Sequence, residues 1–426
     1  MKCFAVFVTV CWYPFSAVAG AVLEDEPPSE ETDPALLEEL AAASEADAAT
    51  LADLKGVDAT AVEDREKEDP MNDLPGAVKG VVGNEANPSL SIILDTAFAY
   101  FTEENRYRQG GHAPTTNGPS IQGAELAASA SIDPYFRLDM AFGMYHLHLE
   151  EIYATTTALP LNLQVRAGQF KSNIGRHNPT HLHTWRFVQQ PLANEFLFGA
   201  EGMTLPGMEL SVLFPLPWYV ELTGALQMGS SGSFRTDFTS DPSFRDFLYP
   251  LRLAQFFDLS DDWAMQLGLN AVFGPSQTGA DVGNRSYVYG ADLMFKWRPI
   301  GQGRDGYRFI AWITEGWFRE MEAPDDLWRD FGGYSDLIFG IAKRWEVSLR
   351  GELWRRISGA DENVEVRRTP FGTDAARGIA AVSFMPSHFS RLRLQYLFER
   401  LEGYDDNQAV MLQLEVSAGA HGAHKY

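Results

Sequence analysis

Three histidines fall within seven residues, at His177, His181 and His183, in a segment that also carries Arg176 and Arg186 and is soon followed by Glu201. Imidazole nitrogens at this spacing could bind Zn²⁺ or Cu²⁺, with a carboxylate such as Glu201 or a water completing the shell. The same histidines could instead hydrogen-bond within a folded loop. A second chemistry is mixed charge. Arg137, Asp139, Glu150, Arg166, Glu221, Asp292, Lys296, Arg350, Glu352 and Arg393 stand at alternate positions of extended segments. Facing one another across a narrow pore, such residues set a transverse field and a filter. Taken singly, each reads equally as a solvated wall residue.

Enzymatic constellations fail on context. The only cysteines are Cys3 and Cys11, both inside an N-terminal apolar run, so disulfides, thiolate metal sites and cysteine nucleophiles are excluded from the mature chain. Gly301-Gln-Gly-Arg-Asp-Gly306 has dinucleotide-type glycines but sits in a turn between strands with no helix behind it. His146 and His148 lie beside Glu150 without a nearby serine to act as nucleophile. An enzyme is not expected.

The elements that must position these residues read as strands. In Gln408-Ala-Val-Met-Leu-Gln-Leu-Glu-Val-Ser417, Val410, Leu412, Leu414 and Val416 share one face, and Gln413, Glu415 and Ser417 the other. In Val347-Ser-Leu-Arg-Gly-Glu-Leu-Trp354, Val347, Leu349 and Leu353 oppose Ser348, Arg350 and Glu352; in 391–396, Leu392, Leu394 and Tyr396 oppose Arg393 and Gln395. A period of two with lipid on one side and water on the other is the signature of a membrane barrel strand. Short connections rich in Pro, Gly, Asp or Ser fall near 133–135, 157–160, 215–218, 260–262, 299–306, 343–345 and 386–388. Longer polar loops fall near 104–119, 175–204, 230–246, 275–285, 319–333, 358–376 and 402–407, with a tight turn near Tyr145 and His146. The expected fold is all-β: a transmembrane antiparallel β-barrel of about sixteen strands enclosing a water-filled lumen. Trp218, Trp263, Trp297 and Trp345 all sit beside short turns, as an interfacial aromatic girdle requires. The loop 175–204 is too apolar to lie in water and is expected to fold inward and constrict the pore.

Three regions follow. Residues 1–19 have the layout of a signal peptide: Lys2, a short apolar run, then Ala17-Val-Ala19. Residues 20–86 hold 19 acidic against four basic residues and form an acidic periplasmic leader, part helical near 34–54 and part disordered. Residues 87–426 form the barrel, with 39 acidic and 29 basic residues. No basic patch stands out, which argues against a nucleic-acid partner, and the bulk field is unfavourable for anions. The expected partners are outer-membrane lipid and small solutes or ions.

Asp133-Pro-Tyr-Phe-Arg137, Glu150-Glu-Ile-Tyr153, Leu163-Gln-Val-Arg-Ala-Gly-Gln-Phe170, Gly175-Arg-His-Asn178, His181-Leu-His183, Pro191-Leu192 and the ending Gly419-Ala-His-Gly-Ala-His-Lys-Tyr426 resemble a group of bacterial outer-membrane proteins. That group is similar to the phosphate-selective porins O and P and is often labelled zinc-regulated TonB-dependent outer membrane receptor. The resemblance implies a sixteen-stranded porin-like barrel, a homotrimer as in the phosphate porins, and a loop folded into the pore. It also implies basic residues in the constriction, carried here by Arg166, Arg176 and Arg186. Together with the register, the expected pore-lining set is Arg137, Arg166, Arg176, Arg186, Arg350 and Arg393. The expected function is a passive or weakly selective outer-membrane channel for small ions or anions. The alternative is a zinc-responsive uptake receptor binding metal through His177, His181, His183 and Glu201. No cofactor other than zinc is implied.

Overall fold

The period-two segments pair into antiparallel ladders in the structure, a computed structural model that describes residues 88–145, 147–236, 243–278, 283–299, 307–324, 326–359 and 374–419. The signal peptide, the acidic leader, Gly301–Gly306, His146 and the end of the chain beyond Gly419 lie outside the described residues. The chain begins with β1 (Ser89–Phe101), β2 (Gly118–Ser131), β3 (Phe136–Gly143), β4 (His148–Thr156), β5 (Leu163–Lys171), β6 (Thr204–Leu213) and β7 (Tyr219–Gln227). A two-stranded hairpin of β8 (Ser230–Ser231) and β9 (Phe234–Arg235) interrupts the meander. It resumes with β10 (Tyr249–Asp258), β11 (Trp263–Pro275), β12 (Arg285–Trp297), β13 (Phe309–Ala323), β14 (Asp326–Ala342), β15 (Trp345–Ser358), β16 (Ala375–Ser387), β17 (Ser390–Leu401) and β18 (Asn407–Gly419). Each barrel strand pairs with its sequence neighbours, and β1 pairs with β18 from Ser91↔Gly419 to Phe101↔Ala409. The sixteen strands therefore close, leaving no sheet edge.

The strand faces follow the alternation. Leu349 and Leu353, Leu392 and Leu394, and Val410, Leu412 and Leu414 are exposed on the outside, while Ser348, Arg350, Glu352, Arg393, Gln395 and Gln413 are buried on the inside. So broad an apolar exterior belongs in lipid. Trp218, Trp263 and Trp345 are also exposed, in contact with Phe257, Trp297 and Phe384 respectively. They mark one interface level at the short-turn end.

Two expectations change. The stretch 319–333 is not a loop: β13 reaches Ala323 and β14 starts at Asp326. Arg319 and Asp330 pair across that hairpin inside the barrel, which is why so polar a stretch remains strand. Nor is the long-loop half of the lumen simply wet. Val272, Val288, Trp317, Trp354 and Leu401 face inward there and form one apolar cluster with Leu192, Phe196 and Phe198 of the loop between β5 and β6.

Candidate functional site

That loop, residues 172–203, runs inside the barrel. Its two roots are tied together by Ser172 N donating to Met203 O (2.8 Å). Asn178 adds Nδ2–H bonds to Ser172 O (2.8 Å) and Met203 O (3.3 Å) and accepts from Met203 N (2.8 Å). Gly175 turns the chain inward with φ +61°, and a Cβ there would meet Trp317 at 2.7 Å, so the position needs glycine.

Most of the loop has no strand partner, so its buried backbone groups need side-chain partners, and the wall from β11 to β17 supplies them. Carboxylates and amides accept from its N–H groups: Glu315 Oε2 from Arg176 (2.6 Å) and His177 (3.2 Å), Asn270 Oδ1 from Gly175 (2.8 Å), Gln395 Oε1 from Val188 (2.8 Å) and Glu352 Oε2 from Leu192 (2.6 Å). Guanidinium groups donate to its carbonyls: Arg393 to Trp185 (2.6 Å), Arg391 to His183 (3.0 Å) and Arg350 to Gln189 (3.4 Å). The wall is thus a template for one backbone path.

A single α-helix, α1 (Leu192–Phe198), lies in this path with all seven residues buried. Phe196 meets Trp354 edge-on at 5.5 Å and Phe198 meets Trp317 at 5.2 Å. Full burial of each such side chain stabilises the docked loop by roughly 1.5–3 kcal/mol. Tyr107, from the loop after β1, packs on Phe196 and donates its hydroxyl to Glu195 Oε1.

Burial raises the Glu195 carboxyl to about 7, against the lowering effect of the Tyr107 hydrogen bond and the Arg377 charge. Its folded value thus lies above the usual 4.5. The associated stability is complete below about 4.5 and is lost as pH rises through about 7, on the order of 3 kcal/mol in all. We expect protease cleavage of residues 172–203 to quicken between roughly pH 5 and pH 8, and Glu195→Gln to flatten that dependence. An unchanged pH profile in the variant would refute this role.

The arginines expected in the pore occupy varied settings. Arg350 makes a two-pronged pair with Asp336 (2.7 and 2.8 Å) and lies over Phe187 and Tyr334. Arg393 bonds Gln413 as well as Trp185 O. Arg166 pairs with Glu209 at 2.9 Å over Phe170, whereas Arg137 is half-exposed beside Asp139 at the short-turn mouth. Arg176 bonds Gln266 and Arg186 pairs with Glu346. Further buried pairs, Arg252–Asp292, Arg319–Asp330 and Arg377–Glu399, complete a lumen in which guanidinium groups face carboxylates.

The histidines divide. His177 turns toward β13 and β14, its ring tilted against Trp185 at 4.9 Å and near Tyr334; burial, with the Arg350 charge, holds its ring well below the usual histidine range. Glu201 pairs instead with His112 (3.1 Å). His181 and His183 stack at 5.7 Å and face the β2–β4 wall. There His181 Nε2 lies 2.7 Å from Glu151 Oε2, and its Nδ1 lies 3.5 Å from both Glu125 Oε2 and Glu150 Oε2. His183 Nδ1 is 3.7 Å from the same Glu125 oxygen. Burial opposes a charge on His181, yet the three carboxylates together hold it well above the ordinary histidine value. The structure therefore brings His181 and His183 together, with carboxylates from the wall, and leaves His177 and Glu201 with other partners.

Glu151 escapes a reading by strict alternation. The ladder slips between Ala141↔Glu151 and Phe142↔Leu149, so Glu150 is an extra residue in β4. This bulge points Glu150 and Glu151 both inward, while Leu149 and Ile152 face out. Gly123 in β2 lets the loop seat closely: a Cβ there would meet Leu182 at 2.9 Å.

No family model matches the chain. It is 26% identical over 385 residues to an uncharacterised protein of Aquifex aeolicus (strain VF5), covering 80% of each. Among solved structures it is similar to the outer membrane channel DcaP of Acinetobacter baumannii, with TM-score 0.52, 10% identity, and coverage of 78% of this chain and 97% of that one. In-vitro folded OmpT, an outer membrane protein of Vibrio cholerae, gives TM-score 0.51 at 9% identity, covering 79% and 98%. These are likenesses of fold alone: the closed antiparallel β-barrel that those outer-membrane proteins share with this chain.

Proposed function

We propose that the protein is an outer-membrane channel passing small ions, anions among them, by passive or weakly selective diffusion, with residues 172–203 as its constriction. The observation that carries this reading is the loop itself. A closed barrel with a lipid-compatible exterior admits a long loop to its interior and binds it through side chains of the wall. The paired arginines support weak selectivity. Arg252, Arg319, Arg350 and Arg377 each face a carboxylate, so opposed charges largely cancel at these positions and the pull on anions there is weak. Flux in proteoliposomes tests the proposal. Chloride and potassium should both equilibrate without ligand or energy source, whereas vesicles as tight as protein-free controls would contradict it.

A further inference from the structure

We infer that Glu125, Glu150 and His181, with His183 at their side, form a binding site for a divalent transition-metal cation of the Zn²⁺ class that ties the inward loop to the β2–β4 wall. One ligand atom from each of Glu125, Glu150 and His181 lies within 4.8 Å of the others. The separations around His181 Nδ1 are 3.5 Å to Glu125 and 3.5 Å to Glu150, with 3.7 Å from His183 Nδ1 to Glu125. Bonds of about 2.0–2.1 Å in a tetrahedron place ligand atoms roughly 3.3–3.4 Å apart, which the separations from His181 Nδ1 to Glu125 and Glu150 already approach, and rotation of the two carboxylates closes the set on a metal.

The orientation of His181 adds independent weight. Its Nδ1 is buried and makes no hydrogen bond with any described residue, although two carboxylate oxygens face it. Its other nitrogen is held by Glu151 at 2.7 Å. A cation entering the site displaces the proton on Nδ1, and the carboxylate behind the far nitrogen keeps Nε2 protonated and raises the basicity of Nδ1 as a ligand. His148, 3.6 Å from Glu150 Oε1, stands at the oxygen that faces away from His181. An imidazole among carboxylates selects Zn²⁺ and its neighbours in the series over Mg²⁺ or Ca²⁺, which take oxygen shells.

The test is metal binding by the purified, folded full chain, measured by equilibrium dialysis with Zn²⁺ and by the visible spectrum with Co²⁺. The expected result is one strong site per chain and a four-coordinate Co²⁺ spectrum. Glu125→Gln and His181→Ala should abolish that site, while Glu151→Gln should weaken it about 10–100-fold. His177→Ala and Glu201→Gln should leave it intact. Folding of each variant is checked by its heat-modifiable migration. If His181→Ala does not fold, Glu125→Gln decides, because it keeps the side chain's shape. Absence of stoichiometric binding to the wild-type protein, or equal binding in Glu125→Gln, would overturn the inference.

Discussion

Replacing Asp330 by alanine is expected to destabilise the barrel by about 3–5 kcal/mol. Asp330 is fully buried in β14 and serves two guanidinium groups. Arg319 donates to its Oδ2 through Nε (2.9 Å) and a terminal nitrogen (2.5 Å), and Arg356 donates to Oδ1 (3.1 Å). The same Arg319 reaches Phe196 O (3.3 Å) and Ser233 Oγ (3.1 Å), so this one carboxylate underlies contacts to both the loop helix and the β8–β9 hairpin. Its removal leaves the fully buried Arg319 and the part-buried Arg356 without the charge that offset them. Changing both members of the buried pair to apolar residues, Arg319→Met with Asp330→Leu, should cost less, because the guanidinium still lacking its carboxylate, Arg356, is only part-buried. Urea unfolding of vesicle-inserted protein reads the difference. A single-variant loss under about 0.5 kcal/mol would mean that water reaches the pair.

The second large effect is on the loop. Phe196→Ala and Phe198→Ala should each weaken docking of α1 by about 3–5 kcal/mol, since both rings are fully buried against Trp354 and Trp317. The barrel ladders are untouched, so the variants should still insert and migrate as folded barrels. Residues 172–203 should become open to protease, and single-channel currents should grow and become noisy. Quiet currents of wild-type size would show that the helix does not restrict the path.

The barrel was legible in the sequence because lipid and lumen impose opposite demands on neighbouring residues. The alternation at 347–354, 391–396 and 408–417 reappears as exposed and buried faces of β15, β17 and β18. It misled where inward residues are charged on both sides of a hairpin. Arg319, Glu320, Glu322, Asp326, Arg329 and Asp330 look like a loop, but the Arg319–Asp330 pair makes them strand. The histidine cluster was visible as density, not as direction. Three residues of chain separate His177 from His181, and Glu315 fixes the backbone at His177 while the β2–β4 carboxylates hold His181. Glu125 and Glu151 carried no signal as partners of His181. Glu125 is remote in sequence, and Glu151 owes its inward aim to a bulge that only the pairing with β3 reveals.

The measurement that bears most directly on a loop-constricted channel is the current carried by single molecules in a planar bilayer under a salt gradient. Stable open steps without ligand, with a reversal potential close to zero and larger steps in the Phe196→Ala/Phe198→Ala protein, are the predicted result. A silent membrane containing correctly folded wild-type protein would contradict the account.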